Sequence, residues 1–192
     1  MTKPLPAVRL SPRFTVNDWK KLSFATEEDW QKAIEIVDDR IHGRFIRWVD
    51  GLIDSEFAGF ASTALDCLLL ETYYGFRAGA STRDTQKVYR TVLTAPPFCF
   101  SDALAKAFYE NVRNGIIHDT ETRKGWIIRM EAQSQTVVCD GAGSHILNRT
   151  MFHDTLKKGI EGWITQLRLG DTALRENMRN RMDEIIKKHY MP

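Results

Sequence analysis

Residues 113–118 read Arg-Asn-Gly-Ile-Ile-His, which sets a guanidinium, an amide and an imidazole inside one short run. Those groups suit phosphodiester chemistry on RNA. RNA carries its own nucleophile, the 2′-hydroxyl, so a cleaving enzyme needs a group titrating near neutral pH. That group removes the hydroxyl proton or protonates the leaving oxygen, and histidine does both. The reaction also needs a permanent cation against the charged phosphorane, and arginine offers a forked donor that stays charged. A polar neighbour must hold the reacting groups in register, the role open to Asn114. This chemistry requires no cofactor or metal ion, and the sequence offers no convincing carboxylate cluster for one.

On an α-helix Asn114 and His118 share a face, whereas Arg113 and His118 lie about 140° apart around the axis. The long arginine stem can curl toward the imidazole. Gly115 lets the backbone tighten or another chain approach closely, and Ile116 and Ile117 are expected to anchor the segment in the core. Glu71 falls in an otherwise apolar stretch, where an unpaired carboxylate is costly. A structural salt bridge would satisfy it; the sharper expectation is that Glu71 or Tyr74 packs beneath the motif and orients Arg113. Tyr109, with Phe108 and Trp126, is a candidate for stacking on bases, with core packing the default for Phe108 and Trp126. Arg123 and Lys124, with Arg77, Arg83, Lys87 and Arg90, are candidates to track an RNA backbone; a solvated helix face explains them equally well.

The elements that must position these residues read mainly as helices. Thr26 caps a helix whose first turn is acidic, and apolar residues recur at helical spacing from Trp30 through Ile41, Phe45, Trp48 and Val49 to Leu52. A second helix is expected from about residue 56 to 76, with Phe60, Ala61, Ala64, Leu65, Leu68, Leu69 and Tyr73 inward. Its Cys67-Leu68-Leu69-Leu70 run makes it central. A shorter amphipathic helix covers 82–94 and stops at Pro96-Pro97. Ser101-Asp102 caps the helix that leads into the motif. After Asp119 the period changes. Residues 126–130 and 135–139 read as two short strands forming a hairpin, Asp140 to Ser144 as a turn, and residues 145–147 as a third strand. Two more helices follow, over about 150–169 and 171–188, separated by Gly170.

The chain has 192 residues, 43% hydrophobic and 27% charged, which fits one globular domain and argues against disorder. We expect an irregular leader over 1–25 and a single domain over 26–192, with the hairpin at about 125–147. The fold class is mainly α, a helical bundle with a small β-hairpin insertion after the motif helix. No apolar run approaches the ~18 residues that span a bilayer. The N-terminus carries no apolar signal core, so a cytoplasmic location is expected. Cys67, Cys99 and Cys139 are scattered and read as reduced, mostly buried thiols. The net charge of +2 is too small to announce a nucleic-acid binder, so any such contact must come from local clusters.

Arg113-Asn114-x-x-x-His118, late on a helix of a small bundle, resembles the signature of the HEPN superfamily, an arginine and a histidine four to six residues apart with a polar residue after the arginine. The context is also similar: Phe108-Tyr109-Glu110 ahead, Asp119-Thr120-Glu121-Thr122 at the exit, then a hairpin from Gly125-Trp126 and two further helices. The resemblance implies a homodimer in which two motifs meet to form one composite endoribonuclease site, in a toxin or antiviral-defence setting. It implies His118 as general acid/base, Arg113 as phosphate clamp and Asn114 as orienting group. It leaves Glu71, Tyr74, Tyr109, Asp119, Arg123 and Lys124 as supporting or RNA-binding residues. A two-fold axis supplies two histidines from one sequence, as acid and base on opposite sides of a phosphate require. A neutralising antitoxin or sensor protein would be a further partner. The runner-up is a catalytically silent HEPN module for dimerisation or nucleotide binding.

Plainer readings stand beside these. Histidine near a helix C-terminus favours the dipole, and Asn-Gly is a common stop signal. His118-Asp119 also invites a metal-dependent phosphohydrolase reading with His42 and Asp66 or Asp84, but no second box surrounds them. His145, His153 and His189 read as surface or capping residues.

Overall fold

A computed structural model of the chain describes residues 8–130, 135–139 and 144–190, with 189 and 190 by backbone alone. It is mainly helical with one small sheet, and among the described residues no helix is long and apolar enough to cross a membrane. The chain divides into two compact units. One comprises residues up to 44, 75–81 and 163 onward; the other comprises 45–74 and 82–162.

In the first unit, helix α1 (Val16–Lys20) lies inside the segment expected to be irregular. The Thr15 side chain accepts from the Asp18 amide while the Asp18 carboxylate accepts from the Thr15 amide, a reciprocal capping box. Leu10, Val16 and Trp19 are buried, so apolar anchoring offsets the poor local periodicity. Helix α2 (Glu27–Ile41) begins at Thr26 as expected, its hydroxyl accepting from the Asp29 amide. Helix α9 (Thr172–Tyr190) supplies Met178, Met182 and Ile186 to the interior. Arg175 on α9 forms a two-pronged pair with Glu27, at 2.7 and 2.6 Å.

A π-helical turn, His42–Ile46, joins α2 to α3 (Arg47–Leu52). One π turn shifts the apolar phase by a residue. Ile46 and Val49 therefore point inward, while Trp48, expected inside, is 54% exposed beneath the Arg47 guanidinium.

In the second unit, α3 is followed by α4 (Gly59–Ala78), of which residues 59–74 belong here. Its buried face differs from the expected one. Ser62, Thr63, Asp66, Cys67, Leu69, Leu70 and Tyr73 are buried, whereas Phe60, Ala61 and Leu68 are exposed. Two of these polar side chains find partners inside: Ser62 donates to the Gly59 carbonyl, and Asp66 Oδ1 meets His153. Helix α5 (Thr85–Thr94) is capped by Asp84, and α6 (Asp102–Phe108) by Ser101. A second π turn, Tyr109–Arg113, leads into α7 (Asn114–Asp119). Stacked and edge contacts among Tyr89, Phe108, Trp126 and Phe152 fill the space behind it.

The strands are β1 (Trp126–Arg129), β2 (Val137–Cys139) and β3 (His145–Asn148), in the order β1-β3-β2. The expected hairpin between the first two is corrected. β3 is central, parallel to β1 (Trp126 opposite His145) and antiparallel to β2 (Val138 opposite Ile146). Strand pairing is decided by which edges meet in space, which alternation alone does not encode. Of the expected turn, residues 140–143 lie outside the described residues. β3 runs directly into α8 (Arg149–Arg168), of which residues 149–162 belong to this unit.

Candidate functional site

The motif does not end its helix at Asn114-Gly115, as a stop signal would. The helix continues to Asp119 and closes on Thr120 in the left-handed region, at φ 56°, with the Thr120 amide donating to the Gly115 carbonyl. Gly115 is needed for a close approach by the chain's own exit loop. A Cβ there would overlap the Glu121 carbonyl oxygen and sit 3.2 Å from Thr122 Cα. The Arg123 amide donates to the Asn111 carbonyl at 2.9 Å, which folds this loop back along the motif helix.

Arg113 is held from two sides. Its Nε donates to Glu71 Oε1 at 3.0 Å and its Nη1 to Asn114 Oδ1 at 3.1 Å. Nη2 makes no hydrogen bond among the described residues. The guanidinium carbon sits 5.9 Å from the centre of the Tyr109 ring, and the Tyr109 hydroxyl lies 2.8 Å from Thr85 Oγ1. The ion pair is largely sheltered, with side-chain exposures of 14% for Arg113 and 24% for Glu71. Burial works against the arginine's charge, but the Glu71 carboxylate outweighs it and raises its pKa.

The support continues inward. The Tyr89 hydroxyl lies 3.2 Å from Glu71 Oε1 and 3.1 Å from the Cys67 carbonyl oxygen. Burial drives the Tyr89 phenol well above its ordinary value and the Cys67 thiol up to about 12, so both stay neutral. The sequence reading missed Tyr89, although its place on the apolar stripe of α5 with Val88, Val92 and Leu93 carried the signal.

Of the expected supports, Glu71 is therefore in place beneath Arg113. Tyr74 is half-buried and makes no hydrogen bond to Arg113. His118 is exposed, on the last turn of α7. Ile116 is buried as expected, but Ile117 is 41% exposed, so only one isoleucine anchors the motif. Asp119 and Arg123 pair with each other at 2.5 Å, and that hydrogen bond lowers the Asp119 pKa. Lys124 is exposed at φ 50°, and Arg90 is occupied by Asp102 at 2.6 and 2.9 Å. Phe108 and Trp126 are core residues, which leaves Tyr109 as the half-buried aromatic at the motif.

His153, expected at the surface, is 1% exposed. Its Nδ1 lies 2.8 Å from Asp66 Oδ1 and its Nε2 3.2 Å from Asp50 Oδ1, while Lys157 donates to both Asp50 oxygens at 3.1 Å. Burial alone would lower the His153 pKa, but the flanking carboxylates raise it. The signal was its spacing in α8 with Leu156 and Ile160 along one apolar stripe. Of the other residues weighed for a metal, His42 pairs with Asp38 and Asp84 caps α5. Among the described residues no group of three His, Cys, Asp or Glu side chains is arranged to hold a metal ion. Cys99 and Cys139, expected to be buried, are exposed; Cys67 is buried.

No family model matches this chain, and no curated protein or solved structure matches it.

Proposed function

We propose that the chain is a metal-independent endoribonuclease of the HEPN type, working as a homodimer in a toxin or antiviral-defence role. One observation carries the reading: Arg113 is fixed by Glu71 and Asn114 with Nη2 left over, on the same short helical segment as an exposed imidazole. An arginine placed this way has a set orientation and spare donors for a phosphate oxygen. In the reaction, His118 of one subunit takes the 2′-hydroxyl proton as that oxygen attacks phosphorus. His118 of the partner subunit gives a proton to the departing 5′-oxygen. Arg113 stabilises the phosphorane, and the products are a 2′,3′-cyclic phosphate and a 5′-hydroxyl. The exposed Ile117 beside His118 is an apolar contact suited to a two-fold axis at the motif.

The test is cleavage of a labelled RNA by the purified chain. Cleavage should persist in EDTA, fail on a 2′-deoxy substrate, and drop by about 10²–10⁴-fold in His118→Ala. Cutting of 2′-deoxy RNA, or full activity in His118→Ala, overturns the mechanism. The silent-module reading has one observation of its own: Glu71 already neutralises Arg113. It predicts expression without growth defect, equal to that of the Arg113→Ala/His118→Ala double variant.

A further inference from the structure

A second feature shares no residue with the Arg113 cluster. A cleft of about 350 Å³ opens at the N-terminus of α4, with an apolar wall of Phe57, Phe60, Ile128 and Met130 and with Glu56 and Arg129 also lining it. Arg149 lines it and is only 3% exposed. Its Nη2 donates to the Ser55 carbonyl at 2.6 Å, but its buried Nε has no partner, and it forms no ion pair among the described residues. A buried guanidinium without an anion is costly. Gly59 makes room for it: a Cβ there would stand 3.2 Å from Arg149 Nη1 and 3.2 Å from Ile128 Cγ2.

The helix end adds donors. The first amide in α4 with a backbone acceptor is Ser62, which donates to Ala58 at 2.9 Å. The N–H groups of Gly59 and Phe60 are left over at the positive end of a 20-residue helix. Around them the apolar wall is incomplete, with Phe57 91% exposed.

From this juxtaposition we infer that the cleft is a binding site for a small amphipathic oxyanion, a carboxylate or phosphate carried on a flat apolar body. The oxyanion meets the Arg149 guanidinium and the Gly59 and Phe60 amides. The apolar body lies against Phe57, Phe60 and Met130. A helix N-terminus with a buried forked cation is matched to an oxyanion, and the cleft volume is at the lower end for small-ligand sites.

The experiment titrates the full-length chain with 3-phenylpropionate, adenosine 5′-monophosphate and the neutral 3-phenylpropanol, read by calorimetry and by amide shifts in nuclear magnetic resonance. Saturable binding of either anion, with shifts at Gly59 and Phe60 and none from the alcohol, is expected. Which anion binds tells whether the carboxylate or the phosphate is the source. Arg149→Lys should weaken binding by about 10-fold or more through loss of the fork. Because Arg149 is buried, the exposed variant Phe57→Ser provides a fold-sparing second test and should also weaken it. The site is refuted if neither anion binds below about 10 mM, if the alcohol binds as well, or if both variants bind like the wild type.

Discussion

Arg113 and Glu71 are 42 residues apart in sequence and joined by a 3.0 Å hydrogen bond between Nε and Oε1. Nη1 of the guanidinium is bonded to Asn114, and the Tyr89 hydroxyl lies against the same Glu71 oxygen that Arg113 meets. Glu71 therefore fixes the orientation of the Arg113 side chain, and under the proposed function it is a positioning residue.

Glu71→Gln keeps the shape but removes the charge. RNA cleavage should fall by about 10–100-fold, as for other supporting-shell losses. Far-ultraviolet circular dichroism should stay unchanged. Glu71→Ala leaves a sheltered cation unpaired and should also cost about 1–3 kcal/mol of stability, read by urea unfolding. Wild-type cleavage by Glu71→Gln would remove Glu71 from the site.

Gly115 and Gly162 are both helical glycines with opposite surroundings. At Gly115 an added Cβ overlaps the Glu121 carbonyl, and at Gly162 it meets nothing within 4 Å. Gly115→Ala should destabilise by about 1–3 kcal/mol, and Gly162→Ala should stabilise by about 0.5–1 kcal/mol. Thermal melts of the two variants should shift in opposite directions.

His153 contributes a stability term with a defined sign. Its folded pKa is raised above the ordinary 6.5, so its contribution is complete below 6.5 and is lost as pH rises through the folded value. The wild-type Tm should therefore fall as pH rises above about 6.5 more than that of His153→Leu/Asp66→Leu, which lacks the pair. His153→Ala alone leaves Asp66 buried without its partner and should cost about 3–5 kcal/mol. Equal pH slopes in the two proteins would show that the pair does not titrate with folding.

The acid limb has other owners. Arg175 and Gln31 hold the Glu27 carboxyl down to about 2, and Ser81 and Arg181 do the same for Glu184. A depressed carboxyl contributes above its ordinary 4.5 and loses that contribution as pH falls toward 2. Glu27→Gln and Glu184→Gln should flatten the decline in Tm across that window, and the effect should shrink in high salt because both carboxylates are reached by solvent.

The sequence by itself determined the starts of α2 and α6, because Thr26 and Ser101 cap through bonds reaching only three residues ahead. It also placed Arg113, Asn114 and His118 on one short segment, since that is a matter of spacing. Tertiary structure alone decided that Glu71 rather than Tyr74 meets Arg113, that His153 is buried between two aspartates, and that β3 separates β1 from β2. The π turns at 42–46 and 109–113 explain part of the gap, because one extra residue per turn rotates the following side chains away from the expected face. The rest follows from the range of the forces. Capping and periodicity act between near neighbours in sequence, whereas ion pairs and strand partners are selected by groups brought together only when the chain has packed.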